Sequence, residues 1–528
     1  MSLAYFWIFF LLLIIGTPVV FALLIGPGLS LVIDGKDEIF FNKLLTTLYG
    51  GMYSFPLMAV PFFILAGELM NAGGITRSIV KFSQSMIGHL RGGLAQVNIL
   101  SSILFAGLSG SAVADTSALG KMLIPAMEEN GYSRRFAAAV TAASSVIGPI
   151  IPPSGIMVLY AFVMNVSVAG LFLAGFMPGL MIGFGLMALT TVMARIRGFP
   201  VANQKATRQE RSSAFLETFP ALLTPVFLLG GILSGIYTPT EAAAVAAVYA
   251  LIASTLIRLD AWTKFISIPN RAYLYIGPLT LFLFLGFLGY LNFKWYVGLS
   301  VAWVVLANVA RKLYLNNNET QNLHAGDTGP PFYSDLLVAT RETLSRLPGV
   351  LRATAIQSGV ILFLVGAAVT FGWMVTVSGL ANHATDFIQT LTDNPLVLLF
   401  LINILLFIVG MFLDAGPAIL ILGPILAPIS ASIGIDPLHF AIVMCVNVTV
   451  GLATPPMGLV LFVAASVANV KLENIVREIW PFLLIEVAVI FMITFFPSLT
   501  MTLPVISGFA KCPEGADFCQ FVVGAIGG

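Results

Sequence analysis

The chain has 528 residues, of which 58% are hydrophobic and 9% charged, where an average soluble domain carries about 25% charge. So little charge cannot cover a water-facing surface, which excludes an ordinary soluble protein and turns the exterior toward lipid. Lysine and arginine total 25 against 24 aspartates and glutamates, and a net charge of +1 gives no reason to expect a nucleic-acid partner.

In chain order, apolar stretches of the roughly 20 residues needed to span a bilayer fall near 6–31, 44–68, 136–164, 169–193, 217–236, 239–257, 272–290, 296–310, 353–376, 439–466 and 480–497. The first has neither a basic leader nor a small-residue cleavage site, so it reads as a retained helix. Two further apolar regions, 93–126 and 397–430, are interrupted midway by GLSGSAVADTS (107–117) and FLDAGPA (412–418). Such breaks are tolerated at membrane depth only where backbone is buried in protein or lines a cavity, so each region is predicted to be a re-entrant helical hairpin.

Basic residues stay on the cytoplasmic side. Arg77, Lys81 and Arg91, then Arg195, Arg197, Lys205, Arg208 and Arg211, then Arg258, Lys264 and Arg271 mark three such loops. Threading the spans accordingly gives 11 crossings, a cytoplasmic N-terminus and a periplasmic C-terminus, with the first hairpin entering from the cytoplasm and the second from the periplasm. Cys512 and Cys519 then lie in an oxidising compartment where a small disulfide loop can form. The polar stretch 311–345, rich in Asn, Gly and Pro, is predicted to be a cytoplasmic loop.

An internal repeat joins the two halves. IGPIIPPSG at 147–155 aligns without a gap on VGLATPPMG at 450–458, and the same offset carries Pro125 onto Pro428 and Gly131 onto Gly434. On the crossing count the second copy is inverted. Two inverted copies, each a re-entrant hairpin followed by a Pro-Pro-interrupted span, point to the binding site of a secondary transporter. Proline removes a backbone donor and clashes with the preceding turn, so Pro152-Pro153 and Pro455-Pro456 must break their helices. The freed carbonyls suit a hard cation such as Na⁺, and half-helix N-termini offer N–H groups to a carboxylate.

Oxygen-bearing residues cluster at both breaks: Ser109, Ser111, Thr116, Ser117, Ser144, Ser145 and Ser154 in the first copy, Asn447, Thr449 and Thr454 in the second. Any one hydroxyl can equally serve as glue between helices. Asp115 and Asp414 are expected at the hairpin tips, where an acid is costly unless it serves a pathway or caps the returning half-helix. No phosphate-binding loop of an ATPase is present. GLSG at 107–110 resembles a nucleophile turn, which leaves an intramembrane serine hydrolase as a remote alternative. That enzyme needs a histidine beside its serine, whereas His89, His324, His383 and His439 all fall in or beside loops, only His439 at a helix start, and solvated positions are expected for them.

GLSGSAVADTSALGKMLIPAMEENGYSRRFAAAVTAASSVIGPIIPPSG in the first half, and GMFLDAGPAILILGPILAPI with NVTVGLATPPMGLVLFVA in the second, resemble the large membrane (M, DctM-like) subunit of tripartite ATP-independent periplasmic (TRAP) transporters. The likeness covers the chain except about 260–345. It implies an all-α polytopic inner-membrane protein, an inverted-repeat elevator-type transporter with two re-entrant hairpins and two Pro-Pro-broken helices. Its expected partners are a small four-helix membrane subunit and a periplasmic solute-binding protein. Its expected work is Na⁺-driven import of small organic acids, 2-oxo acids among the candidates, with no cofactor and no enzymatic step. A self-sufficient Na⁺/carboxylate symporter is the alternative.

By matching motif, the resemblance places Na⁺ at Ser109, Ser111, Ser144, Gly148 and Pro152 and again at Asp414, Asn447, Thr449, Gly451 and Thr454; the substrate falls to Asp115, Thr116, Ser117, Ser154 and Gly416. The expected regions are scaffold helices and a cytoplasmic arm over 1–92, a first transport region over 93–195, scaffold over 196–270, an inserted helix pair and loop over 271–345, a scaffold helix and arm over 346–396, a second transport region over 397–478, and a last helix with a periplasmic tail over 479–528.

Overall fold

A computed structural model describes residues 3–199, 205–258, 332–380, 383 and 394–510. The expected spans at 272–290 and 296–310, His324, Cys512 and Cys519 lie outside the described residues. Among the described residues all regular structure is helical. Backbone groups in lipid must bond within their own segment, and short of a closed barrel only helices do that.

The stretch 6–31, expected as one span, is two helices, α1 (Ala4–Ile15) and α2 (Val19–Ile33). Gly16 ends α1 with a φ of 90°, its N–H returned to Leu12 and Leu13, and Pro18 starts the next helix. The two pack side by side, for a Cβ on Gly26 would come within 2.9 Å of the Tyr5 carbonyl. With 12 and 15 residues they reach only about 18 and 22 Å at 1.5 Å per residue. A single full crossing is therefore not what this segment makes. The span expected at 44–68 is also jointed: α3 (Glu38–Met52) meets a 3₁₀ turn at Pro56 and continues as α4 (Ala59–Ala72) with a 50° bend.

Next come α5 (Ile75–Ile87), whose Lys81 pairs with Glu217 at 2.7 Å, and the first hairpin, α6 (Gly93–Ser109) and α7 (Ala112–Glu129). The first broken span is α8 (Arg134–Ser145) and α9 (Gly155–Met164), followed by the long α10 (Val168–Ile196). α11 (Arg208–Leu233) and α12 (Pro239–Arg258) follow, the latter laying a buried alanine stripe, Ala242, Ala243, Ala246, Ala247 and Ala250, toward α4. Small residues at such a seam let two backbones approach where lipid supplies no hydrophobic drive.

α13 (Phe332–Ser378) runs 47 residues, so the loop predicted over 311–345 has given way to helix by Phe332. Its far end carries the expected 353–376 span and packs on α2, α3 and α4. The second repeat comprises the hairpin α14 (Pro395–Phe412) and α15 (Ala415–Ser432), the broken span α16 (Pro437–Gly451) and α17 (Leu459–Ala468), and α18 (Leu472–Phe495), with α19 (Ser498–Ile506) last.

The repeat legible in sequence is thus a repeat of elements. Both Pro-Pro bonds are cis, both half-helices after the breaks end on a left-handed asparagine (Asn165, φ 54°; Asn469, φ 49°), and Gly131 and Gly434 share φ values of 86° and 83°. Contacts between the copies are reciprocal. α7 packs on α17 as α15 packs on α9, and α8 packs on α18 as α16 packs on α10. Such exchange is what a two-fold relation between copies produces. An ion cluster ties part of this core together: the mostly buried Glu478 on α18 holds Arg135 of α8 at 3.1 Å and Arg197, just past α10, at 2.5 Å.

Candidate functional site at the two helix breaks

Each break is met by its own hairpin. In the first copy, α8 stops at Ser145 and the chain turns through 146–154 before Ser154 caps α9, accepting from the Met157 N–H at 3.4 Å. The hairpin tip sits against that turn: a Cβ on Gly110 would stand 2.9 Å from the Pro153 carbonyl, and one on Gly107 would stand 3.6 Å from the Pro152 carbonyl. In the second copy, the matching glycines Gly410 and Gly451 touch backbone to backbone, a Cβ on Gly451 falling 2.6 Å from Gly410.

The acids behave differently from one another. Asp414 was expected at a tip and is there, exposed, as the N-cap of α15, accepting from Ala415 N at 2.8 Å. Its repeat counterpart is Ser111, which caps α7 by accepting from Ala114 N at 3.3 Å. Asp115 is neither at the tip nor a cap. It lies a turn inside α7, fully buried, with Ser109 donating to one oxygen, and the other oxygen stands directly over Gly148, where any Cβ would collide with it. That oxygen has no hydrogen-bond partner among the described residues. A cap thus accounts for where Asp414 sits and not for where Asp115 sits.

Two further polar links fasten the breaks to the hairpins. Asn447 donates to the Asn403 carbonyl at 3.0 Å and to its side-chain oxygen at 2.7 Å, and Asn403 donates to Thr494 of α18 at 2.9 Å. In the first copy Ser144 stands where Asn447 stands in the second; it accepts from Ser102 at 2.9 Å and reaches Asn98, which donates to Thr141 at 2.7 Å. Asn98, Ser102 and Asn403 escaped the sequence reading because they sit on first hairpin arms, away from the Pro-Pro motif. A lone asparagine in an apolar 18-residue run was the available signal in the case of Asn403. Thr116, Ser145, Thr449 and Thr454 return their hydroxyls to carbonyls of their own helices at 2.7–3.0 Å, leaving oxygen lone pairs as acceptors. Gly416 and Gly155 face open space, Ser117 is half-buried, and Ser154 is buried.

The histidines are not uniformly solvated. His439 is buried on α16 and shares a 2.8 Å hydrogen bond with Thr500, while His89 is partly buried and His383 exposed. None is joined to Ser109, whose hydroxyl goes to Asp115, so the nucleophile–base pair of a hydrolase is not assembled among the described residues.

Two half-helix ends of opposite polarity meet at each break, with a carboxylate or carboxamide beside them. Residues 6–274 and 332–499 match the sequence profile of the family described as tripartite ATP-independent periplasmic transporter, DctM component. The chain belongs to that family. The TRAP permease is similar, at 34% identity over 93% of its own length and 96% of the relative's, to the sialic acid TRAP transporter large permease protein SiaM of Vibrio cholerae. It is also 34% identical to the 2,3-diketo-L-gulonate TRAP transporter large permease protein YiaN of Escherichia coli, over 92% of this chain and 94% of that one. Among solved structures, the YdaH transporter of Alcanivorax borkumensis superimposes with a TM-score of 0.50 at 15% identity, covering 90% of each chain, a likeness of fold alone. The permease is a multi-pass membrane transport protein and not an enzyme. Its family match skips 275–331, inside the stretch expected to be an insertion.

Proposed function

We propose that this TRAP permease is the Na⁺-coupled transport subunit of an inner-membrane importer of small organic acids. The observation that carries the reading is the pair of Pro-Pro breaks with a hairpin tip seated on each, at Gly110 against Pro153 and at Gly410 against Gly451. Carbonyls released at a break make a hard-cation site, and the half-helix N-termini favour an anion. Ser109, Ser111, Ser144, Gly148 and Pro152 surround one cation position; Asn447, Thr449, Gly451 and Thr454, with Asp414 at the tip, surround the other. Asp115, first read as a substrate residue, belongs with the first cation position, because a buried carboxylate repels an anionic substrate and attracts Na⁺. Thr116, Ser117, Ser154 and Gly416 remain on the substrate side, Gly416 beside open space at the second tip.

Sialic acid and 2,3-diketo-L-gulonate, named for two relatives, are both carboxylic acids, which supports an organic-acid cargo. The reciprocal packing of the two copies supports an elevator motion, the hairpins and broken helices moving as one body against α1–α4 and α11–α13. A small four-helix subunit and a periplasmic binding protein complete the assembly, with the basic loops cytoplasmic and the C-terminus periplasmic.

The test is uptake of labelled organic acids into proteoliposomes with and without an inward Na⁺ gradient, the small subunit and the binding protein. Uptake is expected only when all are present. Transport by this chain alone with Na⁺ would make it a self-sufficient symporter; uptake indifferent to Na⁺ would remove the cation sites.

A further inference from the structure

Glu486 lies near the middle of α18, a helix of 24 residues apolar enough to cross a membrane. It has no solvent-accessible surface, and among the described residues neither carboxyl oxygen has a hydrogen-bond partner. Because this chain alone encloses it completely, lipid and any partner subunit are kept from it in this conformation.

Its position is set by neighbours on the same face. One turn earlier, Phe482 packs on Phe136 of α8 with ring centroids 5.9 Å apart; two turns later, Thr494 receives the Asn403 side chain that also holds Asn447 of α16. Glu486 therefore sits on the strip of α18 that packs against both broken helices. The charged and titratable groups on the packed elements are Arg134 and Arg135 of α8, Arg195 of α10, and His439 and Cys445 of α16, while α14, α17 and α19 carry none. Arg134 and Arg135 are engaged by Glu128 and Glu478, and His439 by Thr500. On its own helix the nearest charge, Glu478, lies two turns away with Arg135 and Arg197.

An ionised carboxylate with neither counter-ion nor donor is not sustainable at that depth, whereas a neutral carboxylic acid is. We propose that Glu486 is a proton-binding site of the transport core, occupied while α18 is packed on α8 and α16 and emptied when that packing opens. The packed state binds a proton that the opened state gives up, so low pH favours packing and rising pH weakens it. This stands whichever ion drives uptake.

Difference infrared spectroscopy of the full chain in lipid nanodiscs reads the proton directly. The wild type minus Glu486→Gln spectrum is expected to show a protonated carboxyl C=O band at neutral pH, and Glu486→Asp to shift it. The thermal stability of the wild type is expected to fall as pH rises into the alkaline range, while Glu486→Gln stays flat. An ionised carboxylate band at Glu486 in the wild type, or an alkaline loss of stability that Glu486→Gln shares in full, would overturn the proposal. If Glu486→Gln fails to fold, the band shift in Glu486→Asp decides alone, and a band unmoved by that change sinks the assignment.

Discussion

Asp115 and Asp414 share a residue type and a hairpin and have different work. Asparagine is as good an N-cap as aspartate, so Asp414→Asn is expected to keep both fold and uptake to within about a few tenths of a kcal/mol of stability. Loss of uptake at normal expression would mean that its charge is used. Asp115→Asn removes the charge beside the Gly148 backbone, and the expected result is a rise of tenfold or more in the Na⁺ concentration needed for half-maximal uptake, about 1.4 kcal/mol of binding. An unchanged sodium curve would exclude Asp115 from the cation position. Asn447 is the third case. Its alanine variant strands the Asn403 side chain, at a cost of about 1–3 kcal/mol, and is expected to lose sodium activation beyond what that folding loss explains; full activation in a well-folded variant would take Asn447 out of the site.

The hairpin and the break are coupled through close backbone contact, and this is where element-scale reading succeeded and where it stopped. Gly110 and Gly451 have no room for a side chain against the facing backbone, and Gly410 has little, so Gly451→Ala is expected to destabilise the second copy by about 1–3 kcal/mol through overpacking. Thermal unfolding in detergent measures it, and an unchanged midpoint would show that the two backbones are free to separate. Both hairpins and both broken spans were legible because Gly, Asp and Pro in an apolar run have few physical explanations. The split of 6–31 was less so. Gly16-Thr17-Pro18 is a turn signal, yet an apolar run of sufficient length outweighed it, and only the contact of Gly26 with Tyr5 shows the chain doubling back. The placement of Asp115 was missed for a similar reason: spacing put it near the tip, while the cap had already been supplied by Ser111, four residues earlier, leaving Asp115 a full turn inside.

At the scale of the whole molecule, the two copies pack on each other reciprocally, and the first hairpin, the first broken span and α10 meet their counterparts only after the long intervening segment. That segment includes residues 275–331, which the family match passes over while resuming at 332, where α13 begins. The polar loop expected over 311–345 runs too far, because the start of α13, FYSDLLVATRETLSR, is polar enough to pass for loop before its apolar half declares the helix. If the transport path is built from the paired copies alone, a chain in which 275–331 is replaced by a short flexible linker is expected to retain Na⁺-dependent uptake, since closure entropy changes by only about 0.6 kcal/mol per doubling of loop length. A linker long enough to join α12 to α13 without strain is the condition, checked by normal expression and an unchanged unfolding midpoint. Should that variant fold normally and still fail to transport, the inserted stretch takes part in moving the core or in holding a partner, and the division into a working pair of repeats and a dispensable insertion would have to be abandoned.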